Sequence, residues 1–282
     1  MNIVRVDMNT EKITLEEIEP SFTGMGGRGL TSFFISKEVP PNCDPLGTEN
    51  KLVFAPGFFS GSSLVNTSRF SIGAKSPLTG GIKESNVGGT IAADLACTGV
   101  SAVIVEGQAA KGQHFILKID KQGNAALEDA THLWGKKTYD LVAAIKQAHG
   151  DHISISCIGP AGEMQLSSAS IQSTDRDGRP CRAAGRGGLG AVMGSKGLKA
   201  LVVEKKAANM TPMKDPGAFK AGAKIFAKAV MADEFTAETL PDLGSAVLVE
   251  PINAAGVPFP PETPDRGSLK MQTKSAAKQW PR

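Results

Sequence analysis

The chain has 282 residues, 31 of them Lys or Arg against 28 Asp or Glu, with a formal net charge of +3 and only 5% aromatics. That balance excludes the clustered positive footprint of a nucleic-acid surface, and the low aromatic content excludes a base-stacking platform. The length is near the upper limit for one hydrophobic core, so one large domain, or one domain plus a tail, is expected.

Asn2 to Asp7 alternates like a strand and lacks the long apolar region of a signal peptide. No stretch reaches the roughly 18 apolar residues of a membrane span, so no membrane span and a cytoplasmic location are expected. Lys12 to Glu16 completes a hairpin across Met8–Glu11. Gly24 to Gly29 then leads into a predicted helix over Leu30 to Lys37. Lys51 to Ala55 and Ser68 to Ala74 read as strands, Gly88 to Cys97 as a helix, and Ala102 to Gly107 as an apolar strand with a stop. Phe115 to Ile119 is a strand before a turn at Lys121–Asn124, and a helix follows from Thr138 to His149. Ile153 to Ile158 is a strand, Gly187 to Gly194 opens a short helix, and Lys199 to Glu204 closes the region as a strand.

This mixed order, without strict βαβ alternation, predicts an α+β fold. The helical sidedness of Pro216 to Met231 marks a change of architecture after residue 207. The four cysteines, Cys43, Cys97, Cys157 and Cys181, lie far apart without a CxxC pair and read as reduced thiols. His114, His132, His149 and His152 fall outside the glycine loops and read as surface or structural groups.

Four loops concentrate the chemistry: Gly24 to Gly29; Asn86-Val87-Gly88-Gly89 and Arg182 to Gly190, each expected to open a helix; and Arg69, on a strand ahead of Lys75 to Gly81. Glycines let the backbone approach a ligand closely, free N–H groups favour anions, and arginine adds a planar fork for phosphate. No loop has Walker spacing, and Arg186 does not follow a strand with an acidic residue about 20 positions on, so the dinucleotide reading is weak. Several such loops in one domain point to an extended anionic ligand touched from several sides. Tight turns and surface ion pairs are the plainer alternative.

Arg182 to Lys196, running on to Val203, resembles the signature of tungsten-containing aldehyde:ferredoxin oxidoreductases. So do Asn50 to Gly57, Lys75 to Gly80, Asn86 to Gly89, Leu133 to Lys136 and Ile158 to Glu163. The resemblance implies that residues 1–207 form the family's N-terminal domain, two β-sheets in a twisted, barrel-like base that carries a tungsten or molybdenum bis-pterin cofactor. Residues 208–256 would then begin a helical domain. By position, Arg69 resembles the arginine between pterin and iron–sulfur cluster. Asn86 and Ala183 resemble the residues whose backbone carbonyls hold a magnesium bridging the two pterin phosphates. Gly88, Gly89, Arg182, Gly185, Arg186 and Gly187 resemble the surrounding cofactor loops. The implied reaction oxidises an aldehyde to a carboxylate and passes electrons through a 4Fe-4S cluster to ferredoxin or another carrier, with a homodimer or a complementing chain as further partners.

The family's CxxCxxxC cluster ligands have no match here, so the resemblance implies a fragment that is inactive alone; a non-catalytic pterin-binding module, or a subunit of a split oxidoreductase, is the alternative. A nucleotide-binding regulatory protein is a third. The resemblance ends near Gly256. Regrouping the codons of Lys270 to Trp280 from one base earlier allows I-S-G-E, and the same register over Val257 to Glu262 allows A-F-P-T-R, both family-like. Residues 257–282 are therefore expected to be an out-of-frame, disordered tail, with a native Pro- and Lys-rich disordered end as the alternative.

Overall fold

The computed structural model describes residues 2–22, 24–205 and 213–255. The expected tail over 257–282 and the expected boundary at 207 lie outside the described residues. The chain divides into two compact units, Met1–Pro212 and Met213–Arg282.

Within the first unit the elements run in two rounds. The first is β1 (Asn2–Asp7), β2 (Lys12–Glu17), α1 (Arg28–Glu38), β3 (Leu52–Pro56), β4 (Phe70–Lys75), β5 (Ile82–Val87), α2 (Ile91–Cys97) and β6 (Val100–Glu106). The second is β7 (Phe115–Ile119), β8 (Ala125–Asp129), α3 (Thr138–His149), β9 (Ile153–Cys157), α4 (Pro160–Glu163), β10 (Ile171–Ser173), β11 (Arg182–Ala184), α5 (Leu189–Ser195) and β12 (Leu198–Glu204). The first round makes a sheet of order β2-β1-β6-β3-β4-β5; the second, read from its far edge, is β8-β7-β12-β9-β10-β11. Position for position these are one topology. In each, a hairpin comes first, the last strand runs parallel to the first, and every other pairing is antiparallel. The domain is thus a structural repeat, with the helices α1 and α3, and α2 and α5, in equivalent places.

Strand patterning sets the layers. On β6, Val103 and Val105 enter a central core while Ala102 and Ile104 pack with Leu30, Phe34 and Ile35 of α1. On β12, Leu201 and Val203 enter the same central core while Ala200 and Val202 pack with Leu141, Val142 and Ile145 of α3. Central strands covered on both faces must be apolar throughout, as the wholly buried Leu52–Pro56 illustrates. Edge strands can carry charge, and Lys12–Glu17 does. Ile91 and Leu95 of α2, with Leu189, Val192 and Met193 of α5, fill the core between the sheets.

The α+β class with two sheets is what forms, with the sheets open at both edges rather than closed into a barrel. Two expectations need correction. Asn86 and Arg182 were expected to open helices, yet each lies on an edge strand, and the helix starts only at Ile91 or Leu189. The reason is patterning in one and length in the other: Ile82–Val87 has a weak apolar pattern and Arg182–Ala184 only three residues, so period alone misses both. Arg69 sits just before β4 rather than on it.

In the second unit, α6 (Pro216–Ala232) begins with Asp215 accepting from the Ala218 amide at 2.9 Å and Pro216 in the first turn, a standard N-terminal cap. Short helical turns continue to Ala254.

Candidate cofactor-binding site

The two rounds meet at equivalent edges. Strand β5 lies beside β11, and each runs out into a glycine loop that leads to the helix filling the core. Last strand residues Val87 and Ala184 are both buried, Asn86 and Ala183 before them are both exposed, and Gly88 and Gly185 follow. Each loop is fastened to the other round. The Thr90 amide donates to Thr174 O at 3.2 Å, just past β10, and Ser76 Oγ, just past β4, donates to Gly187 O at 2.6 Å. The Arg186 amide donates to Ser85 Oγ at 3.1 Å.

Glycine is required in these loops for two different reasons. Gly89 has φ 110°, and a Cβ there would strike Thr174 O; Gly187 has φ 79°, and a Cβ would strike the Lys83 side chain. Both are fixed by the fold itself. Gly185 is different: its φ is not positive, and a Cβ would meet only Ala183 Cβ at 4.0 Å. Nothing in the chain demands glycine there, so the space it leaves open is available to a ligand. At Gly88 a Cβ would lie 3.1 Å from Arg69 Nη1.

Arg69, Arg182 and Arg186 are all exposed around these loops. Arg69 Nε donates to Asn86 Oδ1 at 2.5 Å, which brings the sequence-predicted loops at Arg69 and at Asn86–Gly89 together through side chains. The Gly24–Gly29 loop joins the same face: Gly27 lies against Ser71, and Arg28, which begins α1, pairs with Glu84 Oε2 at 3.1 Å. Sequence reasoning did not single out Glu84, Ser71, Ser76, Ser85 and Thr174. Only the period-2 register across β4 and β5 could have pointed to the first two.

Other signature residues sit away from this face. Asn50, Lys75 and Lys196 form a buried knot: Lys196 Nζ donates to Asn50 O at 2.5 Å and Gly107 O at 3.0 Å, and Asn50 Nδ2 donates to Lys75 O at 3.0 Å. Burial pushes the Lys196 amine down to about 7, against the pull of Glu106. Lys199 forms a second knot, paired with Glu163 and 5.6 Å over the Trp134 ring, while Glu163 accepts from the Gly135 amide at 2.9 Å. His114 stacks on Trp134 at 3.6 Å between ring centroids, and His149 pairs with Glu128 at 3.2 Å. Cys43, Cys157 and Cys181 are free thiols; full burial pushes Cys157 up to about 12. Among the described residues no cluster of three or more His, Cys, Asp or Glu side chains is placed to hold a metal ion, and no helix is long and apolar enough to cross a membrane.

Taken together these features define a two-sheet α+β domain with twinned glycine loops on adjoining edges. Residues 3–205 match the family described as aldehyde ferredoxin oxidoreductase, N-terminal domain. The chain belongs to that family. It is 38% identical over 257 residues to a tungsten-containing aldehyde ferredoxin oxidoreductase of Pyrococcus furiosus and 39% identical to one of Thermococcus kodakarensis, in both cases over 90% of this chain and 41% of the relative. The chain thus spans about two fifths of their length. An aliphatic sulfonate oxidoreductase, WOR-like subunit, of Pyrococcus furiosus is 29% identical over 72% of this chain and 34% of that protein. Among solved structures, the active site complex BamBC of benzoyl coenzyme A reductase is similar with a TM-score of 0.76 at 28% identity, covering 83% of this chain and 34% of that one.

Proposed function

We propose that residues 2–205 hold a tungsten bis-pterin cofactor, through its phosphates and a bridging magnesium, for the oxidation of an aldehyde to a carboxylate. The observation that carries this reading is the twinning of the loops. A cofactor with two equivalent phosphate-bearing halves matches two equivalent glycine loops on adjoining sheet edges. The residues fit the group: exposed arginines supply charge on both rounds, and Gly185 leaves a cradle that the chain itself does not need. Edge strands leave outward carbonyls unpaired. Those of Asn86 and Ala183, on β5 and β11, are the proposed magnesium ligands.

When bound, such a cofactor supplies the two-electron redox chemistry, with electrons leaving through an iron–sulfur cluster to ferredoxin or another carrier. The chain's own residues bind and orient: Arg182 and Arg186 neutralise phosphate, Gly185 and Gly187 admit it to the backbone, and Arg69 reaches over the Gly88 loop toward the pterin. Aldehyde is the favoured substrate class because relatives named for aldehyde oxidation match at 37–39% identity and the one named for sulfonate at 29%.

The test is direct. The purified chain, produced in a pterin-making host supplied with tungstate, should carry pterin and magnesium, measured by fluorescence after release and by elemental analysis. Titration of the cofactor-free chain with magnesium pyrophosphate should give a heat that Arg182→Ala and Arg186→Ala each reduce. A chain without pterin that also ignores pyrophosphate would sink the reading.

A further inference from the structure

One hydrogen-bond chain at the site is directional. Arg69 Nε donates to Asn86 Oδ1 at 2.5 Å, Asn86 Nδ2 donates to Ser71 Oγ at 3.2 Å, and Ser71 Oγ donates to Glu84 Oε1 at 2.6 Å. Arg28 closes the far end on Glu84 Oε2 through Nε at 3.3 Å and Nη2 at 3.1 Å. Every donor points toward the carboxylate, whose side chain is only 6% exposed. Strand register builds the line. Ser71 lies opposite Asn86, Glu84 lies opposite Gly73, and a Cβ at Gly73 would run into Thr31 of α1.

We propose that Ser71 and Glu84 are positioning residues that hold the Arg69 guanidinium toward the anionic ligand, an inference that rests on Arg69 being a ligand contact. The carboxylate commits the Ser71 hydroxyl to donate, so the hydroxyl must accept from Asn86. That settles which end of the Asn86 amide faces Arg69. Without the carboxylate, the amide is free to turn and present N–H to N–H. The line leaves Nη1 and Nη2 of Arg69 free of these partners, beside Gly88.

The repeat supplies the control. Equivalent positions in the second round are Ser170 for Arg69, Gln172 for Ser71 and Ala183 for Asn86. Gln172 lies opposite Ala183 as Ser71 lies opposite Asn86, but its Nε2 donates straight to Ser170 Oγ at 2.7 Å, and Ala183 has no side-chain amide to carry a line. The fold therefore does not need it. What distinguishes the first round is the arginine at the end of the line.

The experiment is a double-mutant cycle on the full chain, titrated with magnesium pyrophosphate. Ser71→Ala and Glu84→Gln should each weaken binding roughly three- to tenfold, the scale of one lost hydrogen bond, and each effect should vanish in an Arg69→Ala background. Equal weakening with and without Arg69 would overturn the proposal, because it would reflect general damage to the loops. Unchanged affinity in Arg69→Ala would show that Arg69 does not hold the anion, and the inference would fall with that part of the functional reading. Binding lost to Arg69→Ala but untouched by Ser71→Ala and Glu84→Gln would overturn the positioning role alone. Should a variant not fold, exchange protection of the Arg69 Nε–H in the unmodified chain is the second measurement, and an unprotected proton would count against the line.

Discussion

Lys196 is buried with two carbonyl partners, and its amine sits at about 7, far below the roughly 10.4 of an unfolded lysine. Between those values the unfolded chain binds one proton more than the folded chain, so this group makes stability rise with pH from about 7 to about 10. Lys196→Met removes the term. The difference in unfolding free energy between parent and variant should therefore move in the parent's favour across that window, read by urea unfolding at several pH values; a flat difference would mean that the amine stays charged. Lys199 and Glu163 form a buried ion pair, with side-chain exposures of 0% and 6%. Removing one strands the other, so Lys199→Met should cost about 3–5 kcal/mol, and adding Glu163→Gln should recover part of it. A double variant no more stable than the single one would show that the two do not act as a pair.

At the level of the loops, the glycines separate fold from function. Gly89→Ala places a Cβ against Thr174 O at a positive φ, so it should lower the unfolding temperature and weaken anion binding together. Gly185→Ala meets nothing closer than 4.0 Å, so stability should hold while magnesium pyrophosphate binding falls. Equal binding by Gly185→Ala and the parent would place the ligand elsewhere. The same contrast explains what the sequence made legible. Long elements with clear period, such as the helix Thr138–His149 and the strand Val100–Glu106, can be read directly. The edge strands Ile82–Val87 and Arg182–Ala184 cannot, because an edge strand is short, half polar and defined by a partner distant in sequence. The candidate site suffers the same way. Glycine and arginine types mark where an anion would sit, but Ser71 and Glu84 become visible only through register. Signature motifs also mix purposes: Asn50, Lys75 and Lys196, or Trp134, Glu163 and Lys199, recur in recognisable strings yet build buried knots away from the loops.

For the first unit as a whole, repetition did not produce two independent halves. The central cluster draws Val4, Phe54, Phe70 and Val105 from one sheet and Leu117, Ile171, Leu201 and Val203 from the other. Neither sheet can bury its inner face without its twin, so residues 2–205 should unfold as one cooperative unit. Phe70 tests this, stacked on Phe54 at 5.9 Å between centroids and fully buried in the first sheet. Phe70→Ala should cost about 3–5 kcal/mol, and the loss must appear everywhere at once. Trp134 belongs to the second round and is partly buried against the same cluster. In a Trp280→Phe background its fluorescence reports that round alone, while far-UV circular dichroism reports both. The two denaturation curves should shift together and stay superimposed. If the Trp134 transition stayed in place while the dichroism split into two steps, the rounds would be separate folding units, and the shared core would not be what holds their loops side by side.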